Sequence, residues 1–130
     1  MVQVEIINIG DELLIGQVVN TNASQMAQKL NSYGFNVLAT SIIGDNQNQI
    51  RKSLDIALKR ADCVLITGGL GPTKDDITKK TLAEYFKSDL IIDKEVEEHV
   101  KSYFKRKQLP FTETNRAQAL VPEKCKVIFN

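Results

Sequence analysis

The sequence is poor in the residues that bind metals or cross-link chains: its 130 residues include one histidine, His99, and two cysteines, Cys63 and Cys125, with no CxxC pair. Structural zinc is therefore not expected, since such sites draw on clustered Cys and His, and His99 is assigned to the surface or a helix end. Cys63 opens the apolar run CVLIT, so both cysteines are expected as small core residues in a reducing compartment rather than as a disulfide. No apolar run approaches the roughly 20 residues of a membrane-spanning helix, and the start MVQVEIINIGDELL lacks a basic region followed by an unbroken apolar one. A cytoplasmic chain with no membrane partner is expected. An excess of one charge is lacking too: 17 Lys and Arg against 16 Asp and Glu leave +1, too balanced for a sequence-blind nucleic-acid binder. The basic cluster at 105–107 is accounted for by a helix C-terminus, where the dipole favours cations.

What is present suits one globular domain, with 42% hydrophobic and 25% charged residues in a chain of single-domain length. VQVEIINI at 2–9, NVLATSII at 36–43 and CVLIT at 63–67 combine β-branched residues with bounding turns and predict buried strands. Between them, Asn22 with Gln25 and Asn46 with Gln49 have the spacing of capping boxes. Ala23, Met26, Ala27 and Leu30 would then line one helix, ended at Tyr33-Gly34, and Ile50, Leu54, Ala57, Leu58 and Ala61 a second. Thr78, Leu82, Tyr85 and Phe86 mark a third. After a short run at 90–92, Asp93 caps a fourth, with Val96, Val100, Tyr103 and Phe104 as its buried face and Pro110 as its stop. A helical turn closed by Pro122 and a strand at 125–130 complete the reading. Strand–helix alternation with near-continuous apolar strands predicts an α/β fold: a three-layer α/β/α sandwich around a mostly parallel sheet. Ligands of such sheets sit beyond the carboxyl ends of the strands, so the loops after the first and third strands carry the functional expectation.

The loop after the third strand, TGGLGPTKDD at 67–76, has glycines that allow a tight turn and close approach to a phosphate. It has neither P-loop nor dinucleotide-fingerprint spacing, so ATPase and hydride-transfer chemistry do not follow. It also reads as an ordinary helix start, with Thr73 as N-cap and Asp76 as its partner. The loop after the first strand carries Asp11 and Glu12. If the two strands are neighbours, these acids and Asp75 and Asp76 surround one crevice, and their mutual repulsion calls for a cation. Magnesium, held by carboxylates, water and substrate phosphates, is the natural choice. Solvated turn residues are the alternative for Asp11 and Glu12. Asn22, a cap by spacing, and Asn115 and Arg116 lie in segments within plausible reach.

The motifs GDELLIGQVVNTN at 10–22, GDN at 44–46, TGGLGPTKDD at 67–76 and NRAQALVPE at 115–123 resemble the N-terminal domain of the competence/damage-inducible CinA proteins. That domain is similar to molybdopterin-binding proteins of the MoaB/MogA and gephyrin type. The resemblance, spanning residues 1–130, implies a molybdopterin-binding-like fold with the first and third strands adjacent. It also implies metal-dependent hydrolysis of ADP-ribose to AMP and ribose 5-phosphate. It places metal ligands at Asp11, Glu12, Asp75 and Asp76, with Asp75, Asp76 and Glu12 catalytic. Phosphate or substrate contacts fall at Thr67, Gly68, Gly69, Gly71, Thr73, Asn22 and Asn115. The cation would be magnesium, manganese or cobalt, with potassium as an accessory ion, and a homo-oligomer is expected. Molybdopterin binding or adenylyl transfer, and a non-catalytic nucleotide-binding module, are the alternatives. The deamidase domain of CinA proteins has no counterpart here, and the family's GTAPG-like stretch and next strand are missing after Asn130, as in a C-terminally truncated fold.

Overall fold

The computed structural model describes residues 1–70 and 77–130. Where the sequence suggests one core, the described residues form two compact units, Met1–Gly69 and Leu70–Asn130, because each element set finds its partners within its own stretch of chain.

The first unit is a parallel sheet of β1 (Gln3–Ile9), β2 (Asn36–Ile43) and β3 (Cys63–Thr67) in the order β2-β1-β3. Helix α1 (Asp11–Leu14) follows β1, α2 (Thr21–Ser32) leads to β2, and α3 (Gln47–Arg60) leads to β3. The path runs from β1 outward to β2, then back across β1 to β3. Right-handed crossovers in opposite directions place α2 and α3 on opposite faces, with α2 against β2 and α3 against β1 and β3. The three expected layers are thus present here. Central β1 is buried along almost its whole length, and its Val4, Ile6, Ile7 and Ile9 make up the apolar core together with Ile50, Leu54 and Ala57 of α3 and Ala23 of α2.

Two polar side chains share that burial. Glu5 accepts from Arg60 Nε and Nη2, both at 2.8 Å, an arrangement that compensates a desolvated carboxylate. Asn8 is fully buried one residue before the end of β1.

The second unit holds α4 (Ile77–Tyr85), β4 (Leu90–Ile92), α5 (Lys94–Arg106), α6 (Glu113–Arg116), a 3-10 turn at Ala117–Ala119 and β5 (Leu120–Pro122). Strands β4 and β5 pair antiparallel. Asp93 caps α5 by accepting from Val96 N. Lys79 of α4 donates to the carbonyls of Leu120 at 2.8 Å and Ala117 at 3.3 Å, fastening the turn before β5.

Three helices end alike. In α2 the amides of Gly34 and Phe35 donate to Asn31 and Leu30 carbonyls; in α4 those of Lys87 and Ser88 donate to Glu84 and Ala83; in α5 those of Gln108 and Leu109 donate to Lys105 and Phe104. This is the Schellman pattern, which needs a left-handed residue just past the helix. Gly34 fills that position at φ +83, but Lys87 and Gln108 occupy it at φ 52 and 54. Helix α5 therefore stops through its own terminal bonds, before Pro110 is reached.

Several expectations need correction. The cap of α2 is Asn20, which accepts from Ala23 N, not Asn22: the chain turns into the helix two residues before the capping-box spacing suggests. Asn46 caps α3 as expected, but Gln49 turns back to the Gly44 amide. Leu58, Phe86 and Tyr103 are exposed, lying at the margins of helical stripes that are narrower than the apolar pattern. Both cysteines are exposed, Cys63 as the first residue of a strand at the sheet's margin and Cys125 in a turn. Residues 125–130 form no strand; among the described residues no neighbouring backbone takes up their ladder bonds, and the strand lies at Leu120–Pro122 instead. His99 sits mid-helix, edge-on to Phe129 and 3.3 Å from Asn130 Oδ1.

Candidate functional site

Because β1 and β3 are adjacent, parallel and in register, with Asn8 opposite Thr67, their outgoing loops emerge side by side. This is the switch point at which open α/β sheets bind ligands. A crevice of about 260 Å³ lies there. Ile9, Leu13, Val18 and Val19 form an apolar wall; Asn20, Thr21 and Asn22 bring in the first turn of α2; Glu12, Thr67 and Gly68 complete the lining. The first-turn amides of a helix lack intrahelical acceptors and favour anions. In α2 the amides of Thr21 and Ala23 are taken by the Val19 carbonyl and Asn20 Oδ1, and Asn22, which has no capping role, lines the crevice.

Gly68 is fixed by geometry. Its φ is +91, and a Cβ there would lie 1.9 Å from the Ile9 carbonyl oxygen. The main chain leaving β3 thus runs directly against the end of β1, a path open to glycine alone. Gly69 follows with φ +65.

The two acids of the first loop diverge. Glu12 lines the crevice, its carboxylate folded over Gly10, where a Cβ would come within 2.6 Å of Oε1. Asp11 instead accepts from the Asp45 amide at 3.1 Å and lies against Gly44, tying its loop to the one after β2. Successive helical residues point about 100° apart, so neighbours in sequence need not share a site. The expected convergence of Asp11 with Glu12 in the crevice is not seen. Among the described residues no group of three or more His, Cys, Asp or Glu could hold a metal. Gly71, Thr73, Asp75 and Asp76 lie outside the described residues.

Asn8 is a crevice support that the sequence conceals. Its Nδ2 donates to the Ser41 carbonyl at 3.0 Å, and its Oδ1 accepts from Thr67 Oγ1 at 3.0 Å, so one buried amide ties the ends of all three strands. The available signal was a lone amide in the apolar run IINI.

In the second unit Asn115 Nδ2 donates to the Pro110 carbonyl at 3.3 Å, securing its own loop. Arg116 binds Glu97 through Nε at 2.7 Å and lies 3.9 Å from Glu113. The hydrogen bond from Arg116, aided by the nearby charge of Lys101, holds the Glu97 carboxyl below its ordinary range. Arg116 is thus engaged in an ion pair.

A doubly wound parallel sheet with a crevice at its switch point defines the class of open α/β domains that bind ligands beyond the carboxyl ends of their strands. The chain belongs to the family described as "Probable molybdopterin binding domain", whose model matches residues 5–129. A CinA-like protein of Flavobacterium psychrophilum is 50% identical over 129 residues, covering 96% of this chain and 30% of that protein. The crystal structure of the protein CinA, of unknown function, from Thermoplasma acidophilum superposes with a TM-score of 0.86 at 33% identity, over 98% of this chain and 75% of that one. The molybdopterin biosynthesis enzyme MoaB of Thermus thermophilus matches with a TM-score of 0.61 at 27% identity, over 65% and 54% of the two chains. The chain spans about a third of the length of the curated relatives it matches. No helix among the described residues is long and apolar enough to cross a membrane.

Proposed function

We propose that the β1/β3 crevice binds the phosphate-bearing part of a nucleotide and that the domain hydrolyses ADP-ribose to AMP and ribose 5-phosphate with a divalent cation. The observation that carries this reading is the convergence of Glu12, the Gly68 turn and the first turn of α2 on one crevice. The main chain at Gly68 has no side chain to hold a diphosphate away, and the start of α2 favours its negative charge.

One carboxylate with substrate phosphates and water is a set that magnesium accepts. Glu12 would hold the cation, with Asp75 and Asp76 as further ligands, while Asp11 accepts from the Asp45 amide. When bound, the cation supplies polarisation of a phosphoryl oxygen. The chain orients the diphosphate at the Gly68 turn, places Asn22 beside it, and shields one side with Leu13, Val18 and Val19. Water then attacks one phosphorus, and the bridging oxygen leaves with the other phosphate, giving AMP and ribose 5-phosphate.

Incubation with ADP-ribose and magnesium, manganese or cobalt should yield AMP, and Glu12→Gln and Asp76→Asn should each abolish it. Wild-type AMP formation no greater than that of these variants removes the hydrolase reading. Molybdopterin binding is the second reading, favoured by the family match; saturable pterin binding without AMP formation would select it.

A further inference from the structure

We propose that Thr67 is a specificity-determining residue whose hydroxyl accepts a hydrogen bond from a hydroxyl or N–H group of the ligand and makes no contact with the phosphate. The inference rests on the crevice being the ligand site, as proposed above. It follows from a chain of donors with a single solution. The Ser41 carbonyl can only accept, so the Asn8 atom 3.0 Å from it is the donating Nδ2. The other end of the amide is therefore Oδ1, which can only accept. Thr67 Oγ1, 3.0 Å away, must spend its one hydrogen there. A threonine hydroxyl has one hydrogen and two lone pairs, so what Thr67 still offers the crevice it lines is acceptor capacity.

Phosphate oxygens need donors. Turning the hydroxyl towards one would strip the fully buried Asn8 oxygen of its partner, and an orphaned buried acceptor offsets the bond gained. Phosphate binding thus falls to the main chain of the glycine turn and the start of α2, while Thr67 reads a neighbouring donor such as a sugar hydroxyl or a ring N–H. The ligand class this selects has a donor-bearing group adjoining its phosphate; a bare oxyanion gains nothing from Thr67.

The test compares AMP, which carries both kinds of group, with sulfate, an oxyanion without hydrogen at neutral pH. Thr67→Val should weaken AMP binding, measured by calorimetry, by about tenfold, the worth of one neutral hydrogen bond. Sulfate binding should be unchanged, and Thr67→Ser should restore AMP affinity. Equal weakening of both ligands, or no effect on AMP, overturns the proposal. In the ligand-free protein the Thr67 hydroxyl hydrogen should be visible by NMR, protected from exchange and close to Asn8. An unprotected hydroxyl also overturns it, even if neither ligand binds; absence of all binding with a protected hydroxyl refutes the crevice as ligand site and the proposal with it.

Discussion

Gly68→Ala should be far more damaging than alanine at other glycines of the same backbone class. The new Cβ would stand 1.9 Å from the Ile9 carbonyl oxygen, 2.9 Å from its carbon and 3.3 Å from its nitrogen, about 1.5 Å inside ordinary contact. The atoms struck are main chain of a buried central strand, so no rotamer relieves the clash. The left-handed conformation itself costs an alanine about 1–2 kcal/mol. Moving the turn outward would pull Thr67 from Asn8 and orphan a buried amide oxygen, at about 1–3 kcal/mol. A total of about 2–5 kcal/mol is expected, a large part of the stability of a small domain. Gly16 and Gly34, at φ +77 and +83 with open space for 4 Å around the position of an added Cβ, supply controls that bear the conformational cost alone, about 1–2 kcal/mol each. Urea titration of the three variants isolates the clash. If Gly68→Ala is no worse than Gly34→Ala, the close approach of β3's exit to β1 is wrong, and with it the shape assigned to the crevice.

The left-handed residues after α4 and α5 should be improvable: Lys87→Gly and Gln108→Gly should each stabilise by about 0.5–1 kcal/mol in the same titration, and losses would show that the terminal turns differ from the Schellman form. The Glu97 carboxyl lies below its ordinary 4.5; its contribution is complete above that value and is lost as the pH falls through the lowered one. Melting temperatures between pH 6 and 2 should therefore fall more for the wild type than for Arg116→Gln, and parallel curves would deny the pair any role.

The three strands of the parallel sheet were legible in sequence because β-branched runs with clear bounding turns leave few alternatives, and the capping residues Asn46 and Asp93 were legible because each acts on an amide three residues away; β5 was not, its three residues being too few to mark a strand. Asn20 was missed because two asparagines stand two residues apart, and spacing alone favoured the one with Gln25 behind it. The core polar groups were invisible for a different reason. Glu5 finds Arg60, and Asn8 finds Ser41 and Thr67, only after the sheet assembles, so nothing local marks them as satisfied. The crevice itself followed from strand adjacency, which the topology bears out. Of its acids, Glu12 lines the crevice and Asp11 accepts from the Asp45 amide, a divergence set by the helical rotation at α1 that no count of carboxylates reveals. Asp75 and Asp76 lie outside the described residues.

The innermost strand is also the one nearest the amino terminus. Val4 must wait for Cys63 to align beside it, and parallel partners cannot be reached by a tight hairpin. A ribosome releases this greasy, hydrogen-bond-hungry ribbon long before its flanking neighbours exist. Its early life is therefore spent exposed to self-association, and sheltering by a chaperone during synthesis has the most to offer between the emergence of β1 and that of β3.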